Sequence, residues 1–208
     1  MIRVIIVDDH PVVRRGLRQI IEDEPDMEVA GEAKNAEECF SLVRKTDCTL
    51  VLLDVTLPDK SGFDVLKQLK YEHPNLPVLI LSVHSEDQYG LRFIKAGASG
   101  YLMKEGAPDE LVKAIRKVNA GGKYVSASLA EKLVSHLGAF DKPSHESLSN
   151  REFQILCMIA QGKSLNSIAD ELCVSGKTVS TYRSRIMEKM KMSNNSDLTR
   201  YALENHLV

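Results

Sequence analysis

The sequence lacks the features of a secreted or membrane-spanning protein. Its only cysteines are Cys39, Cys48, Cys157 and Cys173. No two of them have the C-x-x-C spacing of a zinc cage, so we expect neither a structural zinc site nor a disulfide framework. The pattern favours reduced thiols in a cytoplasm. No apolar run is long enough to cross a bilayer, and the first one is too short for a signal peptide, so we expect a cytoplasmic location and no membrane partner.

An excess of charge of one sign is also absent. The chain has 27 Lys and Arg, 29 Asp and Glu and a formal net charge of −2. This balance excludes a uniformly basic nucleic-acid binder but not a local basic patch. Hydrophobic residues make up 43% of the 208 residues, enough to bury a core, and the length fits one large or two small domains.

Residues 1–122 alternate short apolar runs with helical patterns, which predicts five strand–helix units. The predicted strands are RVIIV, MEVAG, LVLLDV, VLILSV and GYLMK. Because most of these strands are continuously apolar rather than alternating, they indicate a parallel sheet with helices on both faces. We predict an α/β fold of flavodoxin-like (βα)5 type with the strand order 2-1-3-4-5.

The strand signal ends after this first domain. Residues 123–147 are interpreted as a linker that contains one short amphipathic helix. Residues 148–208 are interpreted as an all-α domain of four helices, because only helical periodicity remains there. The sequence therefore predicts two domains joined by a linker.

Two spacings predict helix N-termini. Asn35 and Glu38 have the spacing of a capping box, in which each side chain bonds to the backbone of the other residue. Ser149 and Glu152 have the same spacing at the start of the all-α domain. Gly162 is placed to end the helix that Ser149 begins.

Charged and polar side chains follow the predicted strands at their carboxyl ends. They are Asp8 and Asp9 after strand 1, Asp54 after strand 3, Ser82 after strand 4 and Lys104 after strand 5. In an open parallel sheet of this order, strands 1 and 3 flank the point where the strand order reverses, so the three carboxylates converge there. Such a cluster is repulsive unless a cation binds, and its oxygen ligands suit Mg²⁺.

The combination of these residues is typical of phosphoryl transfer to a carboxylate. Asp54 is the predicted nucleophile, Lys104 and Mg²⁺ neutralise charge, and the product is an aspartyl phosphate. We interpret His10 as a packing or helix-capping residue rather than a metal ligand. The alternative is a phosphohydrolase of the haloacid dehalogenase kind, but those enzymes place two aspartates two residues apart, whereas Asp8 and Asp9 are adjacent.

The stretch from Asn166 to Arg185 predicts a helix-turn-helix. A tight turn near residues 173–175 separates two helices, and the second of these is expected to face the major groove. Between Lys177 and Lys191 five basic residues stand against one acidic residue. This local excess predicts a basic face suited to phosphate contacts.

Four segments of residues 1–122 resemble the receiver domain of two-component response regulators. They are VDDHP, LLDVTLPDKSG, LSVHS and GASGYLMKE. The resemblance implies that Asp54 accepts a phosphoryl group from a sensor histidine kinase and that Lys104 contacts this group. It implies that Ser82 and Tyr101 form the switch pair. The implied Mg²⁺ ligands are Asp8, Asp9, Asp54 and the backbone carbonyl of Thr56.

Residues 148–208 resemble a LuxR-type output domain in the stretches LSNREFQILCMIAQG and SIADELCVSGKTVSTYRSRIMEKM. Together the two resemblances identify the chain as a member of the NarL/FixJ subfamily, near the branch of GacA and BvgA. They imply a transcriptional regulator, not an enzyme, that forms a homodimer when phosphorylated and binds promoter DNA. The implied DNA-binding residues are Lys177, Thr178, Ser180, Thr181, Tyr182, Arg183, Ser184 and Arg185.

Two alternatives remain open for this second domain. The final helix, 195–206, resembles a dimerisation helix, but core packing explains its apolar residues equally well. A receiver that works through protein contacts alone, with a helical tail that binds a partner instead of DNA, is the other alternative. The basic second helix argues against it.

Overall fold

The computed structural model describes residues 1–104, 106, 108–137, 144–205 and 207–208. These residues divide into two compact units, Met1–Leu133 and Val134–Val208. The division falls within the predicted linker, and the predicted domain limits at residues 122 and 148 stay predictions. Among the described residues, no helix is both long and apolar enough to cross a membrane.

The first unit is a five-stranded parallel sheet packed against helices. The strands are β1 (Ile2–Val7), β2 (Met27–Ala33), β3 (Leu50–Asp54), β4 (Val78–Ser82) and β5 (Gly100–Met103). The helices are α1 (Pro11–Glu22), α2 (Ala36–Lys45), α3 (Gly62–Glu72), α4 (Glu86–Lys95) and α5 (Pro108–Asn119). All strand pairs are parallel in the order β2-β1-β3-β4-β5, which confirms the predicted fold class.

Strands β3 and β4 in the middle of the sheet are buried throughout, whereas β2 at the edge is mostly half-buried. Val4 and Ile6 of β1 belong to a core cluster that includes Ile21 of α1 and Ile115 of α5. Successive side chains of a strand point to opposite faces, and Ile5 is as fully buried as its two neighbours. Continuous burial is thus the physical reason for the continuous apolar runs in the sequence.

The residues that follow α5 extend the sheet at its β5 edge. The Tyr101 amide donates to the Tyr124 carbonyl at 3.0 Å, and the Tyr124 amide donates to the Ser99 carbonyl at 3.0 Å. Leu129, on helix α6 (Ala127–Leu137), is buried. The first part of the predicted linker is therefore an integral piece of the first unit.

The second unit is all-α. After a short 3-10 helix (Ser144–Ser147) it contains α7 (Asn150–Ala160), α8 (Leu165–Glu171), α9 (Gly176–Met190) and α10 (Asn195–Glu204). The turn between α8 and α9 is tight, and Cys173 within it has a φ of 50°. The four predicted helices and the predicted helix-turn-helix are confirmed.

The two predicted capping boxes have different outcomes. Ser149 and Glu152 form a complete box at the start of α7, as predicted. Asn35 caps α2 by accepting from the Glu38 amide at 2.8 Å, but the Glu38 carboxylate accepts from the Lys34 amide instead of that of Asn35. The predicted bond from the Glu38 side chain to the Asn35 amide is therefore wrong, since that side chain binds the backbone one residue earlier.

Candidate functional site

The carboxyl edge of the sheet brings together residues from three strands. Asp8 follows β1, Asp54 ends β3 and Lys104 follows β5. The Lys104 ammonium donates to Asp8 Oδ2 and to Asp54 Oδ2, at 2.7 Å in both cases. Asp8 is 1% and Asp54 4% exposed, and the Lys104 side chain is 13% exposed. Parallel strands end at one edge, so residues almost a hundred positions apart meet there.

The cluster of Asp8, Asp54 and Lys104 holds more carboxylates than ammonium groups. Burial raises the pKa of Asp54 to about 6, and the charge of Asp8 adds to the effect, whereas Lys104 opposes it. Burial lowers the pKa of Lys104, but its hydrogen bonds to Asp54 and Asp8 outweigh this and hold it above its ordinary value. One ammonium is shared between two buried carboxylates, so the crevice keeps a surplus of negative charge.

Asp9 and His10 complete the crevice. The nearest atoms of Asp8, Asp9, His10 and Asp54 lie within 4.8 Å of one another. Asp9 Oδ1 is shielded from solvent and accepts no hydrogen bond from the described residues. His10 Nδ1 lies 2.7 Å from it as an ion-pair contact, but outside hydrogen-bonding geometry.

His10 does not pack in the core, and its interpretation as a capping residue holds for its position at the N-cap of α1 only. Its side chain is 62% exposed, and although His10 is the N-cap of α1, the imidazole makes no capping hydrogen bond. Pro11 at the first turn removes one of the amides that a cap would satisfy. The ring turns its Nδ1 towards the acid pair instead.

The donor set fits a divalent cation. Three carboxylates and one shared ammonium leave net negative charge, and Asp9 offers a buried oxygen without a hydrogen-bond partner among the described residues. Mg²⁺ prefers such oxygen ligands and is held in proteins by one or two carboxylates together with waters. Asp8, Asp9 and Asp54 are therefore suitable ligands.

Thr56 lies in the loop that follows β3, directly beside Asp54. Its backbone amide hydrogen-bonds to the Asp54 carboxylate and opposes the rise in pKa. The same loop returns so closely that a Cβ on Gly62 would lie 2.3 Å from the Asp54 carbonyl oxygen. Only glycine fits there, which explains the KSG segment and keeps the N-terminus of α3 against the crevice.

Ser82 and Tyr101 are adjacent in the structure. Ser82 ends β4, is fully buried and accepts from the His84 amide at 2.9 Å. The Tyr101 ring is also buried, and its hydroxyl donates to the His84 carbonyl at 2.9 Å and hydrogen-bonds with Ser82. Both members of the predicted pair thus contact the loop between β4 and α4.

The sequence interpretation missed two residues that shape this edge. Arg14 donates to the Asp8 carbonyl at 2.7 Å and contacts Glu32 on β2, so it ties the acid pair to the neighbouring strand. Asp59 accepts from the Ala36 amide at 3.0 Å and so anchors the N-terminus of α2. No spacing rule links these partners, although an arginine on the inward face of α1 is a signal that would have justified a search.

The α9 helix presents a polar surface. Its exposed residues recur at helical spacing and are Lys177, Ser180, Thr181, Ser184, Arg185, Glu188 and Lys189. The Thr181 and Ser184 hydroxyls donate to carbonyls one turn back, at 3.0 and 3.1 Å, and Thr178 bonds to the N-cap Ser175 at 2.8 Å. These hydroxyls therefore offer mainly acceptor oxygens to a partner.

Two of the predicted basic residues of α9 are already bonded within the second unit. Lys189 donates to Glu152 of α7 at 2.7 Å, and Arg183 donates to Asn195 at 2.6 Å. Lys177 and Arg185 make no ion pair with the described residues and are both exposed. The basic face is thus narrower than the sequence count indicates.

Core packing explains part of the last helix, and its role in dimerisation stays a prediction. Leu198 and Ala202 are fully buried in the second unit, and the Tyr201 hydroxyl lies 2.9 Å from His145 Nδ1. Leu203, in contrast, is 58% exposed. Core packing explains the first group, and Leu203 is left as an apolar contact on the surface.

Comparison with known proteins covers both units. A family model of the response regulator receiver domain matches residues 4–116, and a model of bacterial regulatory proteins of the luxR family matches residues 146–202. The response regulator GacA of Pseudomonas aeruginosa is 38% identical over 212 residues, which cover 100% of this chain and 98% of that protein. The response regulator UvrY of Escherichia coli is 35% identical over 211 residues, which cover 100% and 96%.

A solved structure of a response regulator is also similar to this chain over nearly its whole length. RcsB of Salmonella enterica serovar Typhimurium, bound to a promoter in the presence of the phosphomimetic BeF3⁻, has a TM-score of 0.61 and 28% identity. That similarity covers 99% of this chain and 98% of RcsB. The chain belongs to the response regulators of the NarL/FixJ family, with a receiver domain followed by a LuxR-type DNA-binding domain.

Proposed function

We propose that this chain is a cytoplasmic regulator of transcription and that Asp54 accepts a phosphoryl group from a phosphohistidine of a sensor histidine kinase. The supporting observation is that Asp54 is buried against Lys104 among more carboxylates than one lysine neutralises. With its pKa raised only to about 6, Asp54 is still mostly ionised at pH 7, as a nucleophile must be.

The transfer is an in-line displacement. An Asp54 oxygen attacks the phosphorus, the bond from phosphorus to the imidazole nitrogen breaks, and the kinase histidine leaves. Lys104 lies where its ammonium can neutralise the phosphoryl oxygens. The proposed ligands of Mg²⁺ are Asp8, Asp9, Asp54 and the Thr56 carbonyl. When bound, the ion supplies positive charge to the same oxygens.

The switch follows from a competition for Ser82. Its hydroxyl oxygen accepts from the His84 amide, while its O–H hydrogen-bonds with Tyr101, and a phosphoryl group on Asp54 offers that O–H three strong acceptor oxygens instead. Rotation of Ser82 towards the phosphoryl group frees that amide and changes the loop that Tyr101 also contacts. A new dianion thereby biases the α4–β5 side of the receiver.

Intact-mass measurement tests the phosphorylation step. Incubation with a small phosphodonor and Mg²⁺ should add the mass of one phosphoryl group to the wild type and none to Asp54→Asn. Asp47→Asn is the matched control, because Asp47 is an exposed aspartate of the same unit, and it should be labelled like wild type. Full labelling of Asp54→Asn would refute the assignment.

We propose that the phosphorylated form is a homodimer that binds promoter DNA through the exposed face of α9. Two linked helix-turn-helix units raise affinity because the second half-site contact becomes intramolecular. Contacts to phosphates and bases are assigned to Lys177, Thr178, Ser180, Thr181, Tyr182, Arg183, Ser184 and Arg185. Such a function also requires access to chromosomal DNA, which supports the cytoplasmic location.

Salt dependence and charge removal test the DNA interface. If six or more phosphates are engaged, affinity should fall on the order of 10³-fold between 50 and 200 mM salt. Lys177→Ala and Arg185→Ala should each reduce that slope by about one. Lys45→Ala, on the receiver, is the control and should leave it unchanged. Equal slopes in all four proteins would contradict the interface.

We also propose that the chain has no steady phosphatase activity on small substrates. Two residues after the nucleophile Asp54 stands Thr56, and two residues after Asp8 stands His10, so neither position offers a carboxyl group that could act as an acid. Sustained release of phosphate from a small phosphomonoester over many turnovers would contradict this part of the proposal.

A further inference from the structure

The loop that follows β3, residues 55–61, carries Thr56, whose carbonyl is a proposed ligand of Mg²⁺. The Gly62 amide closes this loop by donating to the Val55 carbonyl at 2.8 Å. Residues 58–60 in its middle are exposed, so burial in the core does not hold them in place. The position of Thr56 therefore depends on the side-chain contacts that the loop makes.

Asp59 bonds this loop to the first turn of α2. The Ala36 amide donates to both carboxylate oxygens of Asp59 at 3.0 Å, and the Glu37 amide donates to Asp59 Oδ2 at 3.2 Å. Lys60 contacts the same helix, because its ammonium lies 5.2 Å from the centre of the Phe40 ring. Two consecutive side chains thus hold the loop against α2.

Helix capping alone does not account for Asp59, because α2 has a cap of its own. Asn35 accepts from the Glu38 amide at 2.8 Å, as a local N-cap does. Asp59 stands 23 positions after Ala36 and reaches the helix from another segment. Its bonds link two segments of the receiver in addition to satisfying two amides at the helix end.

The segment that Asp59 binds also contacts the other half of the proposed metal site. At the end of β2, the Ala33 carbonyl accepts from the Asp8 amide at 3.1 Å. Residues 33–37 therefore touch Asp8 on one side and the loop of Thr56, through Asp59, on the other. This short segment connects the two groups of proposed ligands.

We propose that Asp59 is a positioning residue of the metal site, which holds the loop of Thr56 at the distance from Asp8 that a single Mg²⁺ requires. This inference rests on the metal site of the proposed function. Mg²⁺ demands near-ideal octahedral geometry, so a displaced loop cannot be accommodated by a looser set of ligands. Asp59 acts through the loop and does not itself contact the ion.

Calorimetric titration of the full-length protein with Mg²⁺ measures this effect. Loss of a residue that orients a metal ligand costs about 10- to 100-fold in affinity, so Asp59→Ala should weaken Mg²⁺ binding by at least about 10-fold. Asp59→Asn keeps one acceptor oxygen for the Ala36 amide and should bind Mg²⁺ more tightly than Asp59→Ala. Both variants remove the same charge, so a difference between them reports the hydrogen bonds and not the charge.

The matched control is Asn35→Ala, which removes a bond from the same end of α2 and leaves the loop untouched. Its affinity for Mg²⁺ should equal that of the wild type. An equal loss of affinity in Asn35→Ala and Asp59→Ala would make Asp59 only a support of the helix and overturn the proposal. Equal affinities of Asp59→Ala and Asp59→Asn would assign the effect to charge and overturn it as well.

The wild type supplies a second readout, because coupling between two sites is reciprocal. If the bonds of Asp59 favour Mg²⁺ binding, bound Mg²⁺ must strengthen those bonds and slow the hydrogen exchange of the Ala36 and Glu37 amides. This measurement decides the point even if Asp59→Ala fails to fold. Unchanged exchange of both amides in the Mg²⁺-bound wild type would refute the role of Asp59.

The outcomes separate this inference from the proposed function. A wild type that binds Mg²⁺, together with an Asp59→Ala variant of the same affinity, refutes the role of Asp59 and leaves the acid crevice intact as a metal site. A wild type that binds no Mg²⁺ refutes both.

Discussion

The receiver unit and the helical unit each hold a buried carboxylate against a lysine ammonium at 2.7 Å. In the receiver the pair is Asp54 and Lys104, and in the helical unit it is Glu152 and Lys189. The effects on the acids are opposite. Burial raises the pKa of Asp54 to about 6, whereas for Glu152 the bonds from Lys189 and Ser149 outweigh burial and hold the pKa below its ordinary value.

The difference lies in how many acids share each lysine. Lys104 serves both Asp8 and Asp54, so neither carboxylate is fully compensated. Glu152 has Lys189 to itself and also accepts from the Ser149 amide at 2.7 Å. Buried charge without full compensation is typical of a functional site, whereas a carboxylate whose bonds are complete contributes to the fold.

Removal of the shared lysine should have the largest effect. Lys104→Met leaves two buried carboxylates without a counter-charge, and loss of one partner of a buried ion pair costs about 3 to 5 kcal/mol. We expect the free energy of unfolding of the receiver to fall by about that amount, and added Mg²⁺ to restore much of it, since the ion replaces the missing charge. Peptide-resolved hydrogen exchange measures each unit separately.

The control for this change is Lys163→Met. Lys163 pairs with Glu171 at 2.6 Å on the surface of the helical unit, and exposed pairs of that kind contribute about 0 to 1 kcal/mol. Its loss should leave receiver exchange unchanged with or without Mg²⁺. An equally small effect of Lys104→Met would mean that the receiver crevice holds no uncompensated charge.

Loss of the bond between Glu152 and Lys189 should lower the free energy of unfolding by a smaller amount. Mg²⁺ should not change that effect. Glu152→Gln removes a charge-assisted bond to Lys189, and such bonds contribute about 1.5 to 3 kcal/mol. Exchange in α7 and α9 should accelerate accordingly, while exchange in the receiver stays the same. Because no cation site lies beside Glu152 among the described residues, Mg²⁺ should not rescue this variant. Rescue by Mg²⁺ would erase the distinction between the two regions.

Neutralising Asp54, which shares Lys104 with Asp8, should increase the stability of the receiver instead of lowering it. Asp54→Asn removes a charge whose pKa is raised from 3.8 to about 6, and each pKa unit corresponds to about 1.4 kcal/mol. This raised pKa already includes the opposing bond from Lys104, so we expect the receiver to be on the order of 1 to 3 kcal/mol more stable in the absence of Mg²⁺. A loss of stability, measured by urea unfolding, would show that Asp54 contributes to the fold.

Sequence patterns predicted the contacts of Asp54 with Lys104 better than those of Glu152 with Lys189. Asp54 and Lys104 follow continuous apolar strands, and the topology of a parallel sheet brings all such positions to one edge. The Ser149–Glu152 box was equally predictable from spacing. The bond from Lys189 to Glu152 was not, because it depends on how two helices pack, and no local spacing encodes that contact.

Two other features that the sequence interpretation missed, at His10 and at Tyr124, have different causes. His10 was taken for a packing or capping residue because its position fits an N-cap, but the ring rotates towards the acid pair. Tyr124 lies in a segment without any strand periodicity, and yet its backbone pairs with Tyr101 and Ser99 through only two hydrogen bonds. Too few residues take part in that pairing to leave a pattern in the sequence.

The smallest and most specific effect that we expect is the pH dependence of the stability that the Glu152–Lys189 pair contributes. Glu152 has a lower pKa in the folded than in the unfolded protein, where a glutamate titrates near about 4.3. The unfolded state therefore binds more protons in the window below that value, and stability falls as pH falls. The contribution of the Glu152 charge is complete above the unfolded pKa and disappears as the pH falls through the lower folded pKa.

The difference between wild type and Glu152→Gln isolates this contribution. It should be constant from neutral pH down to about pH 5.5 and shrink only below the glutamate pKa, because both proteins share every other titrating group. Glu171→Gln, which changes an exposed glutamate of α8, is the control and should differ little from wild type at any pH. A Glu152 difference that grows as the pH falls would mean that burial dominates there too, and that the two lysine–carboxylate contacts are of one kind.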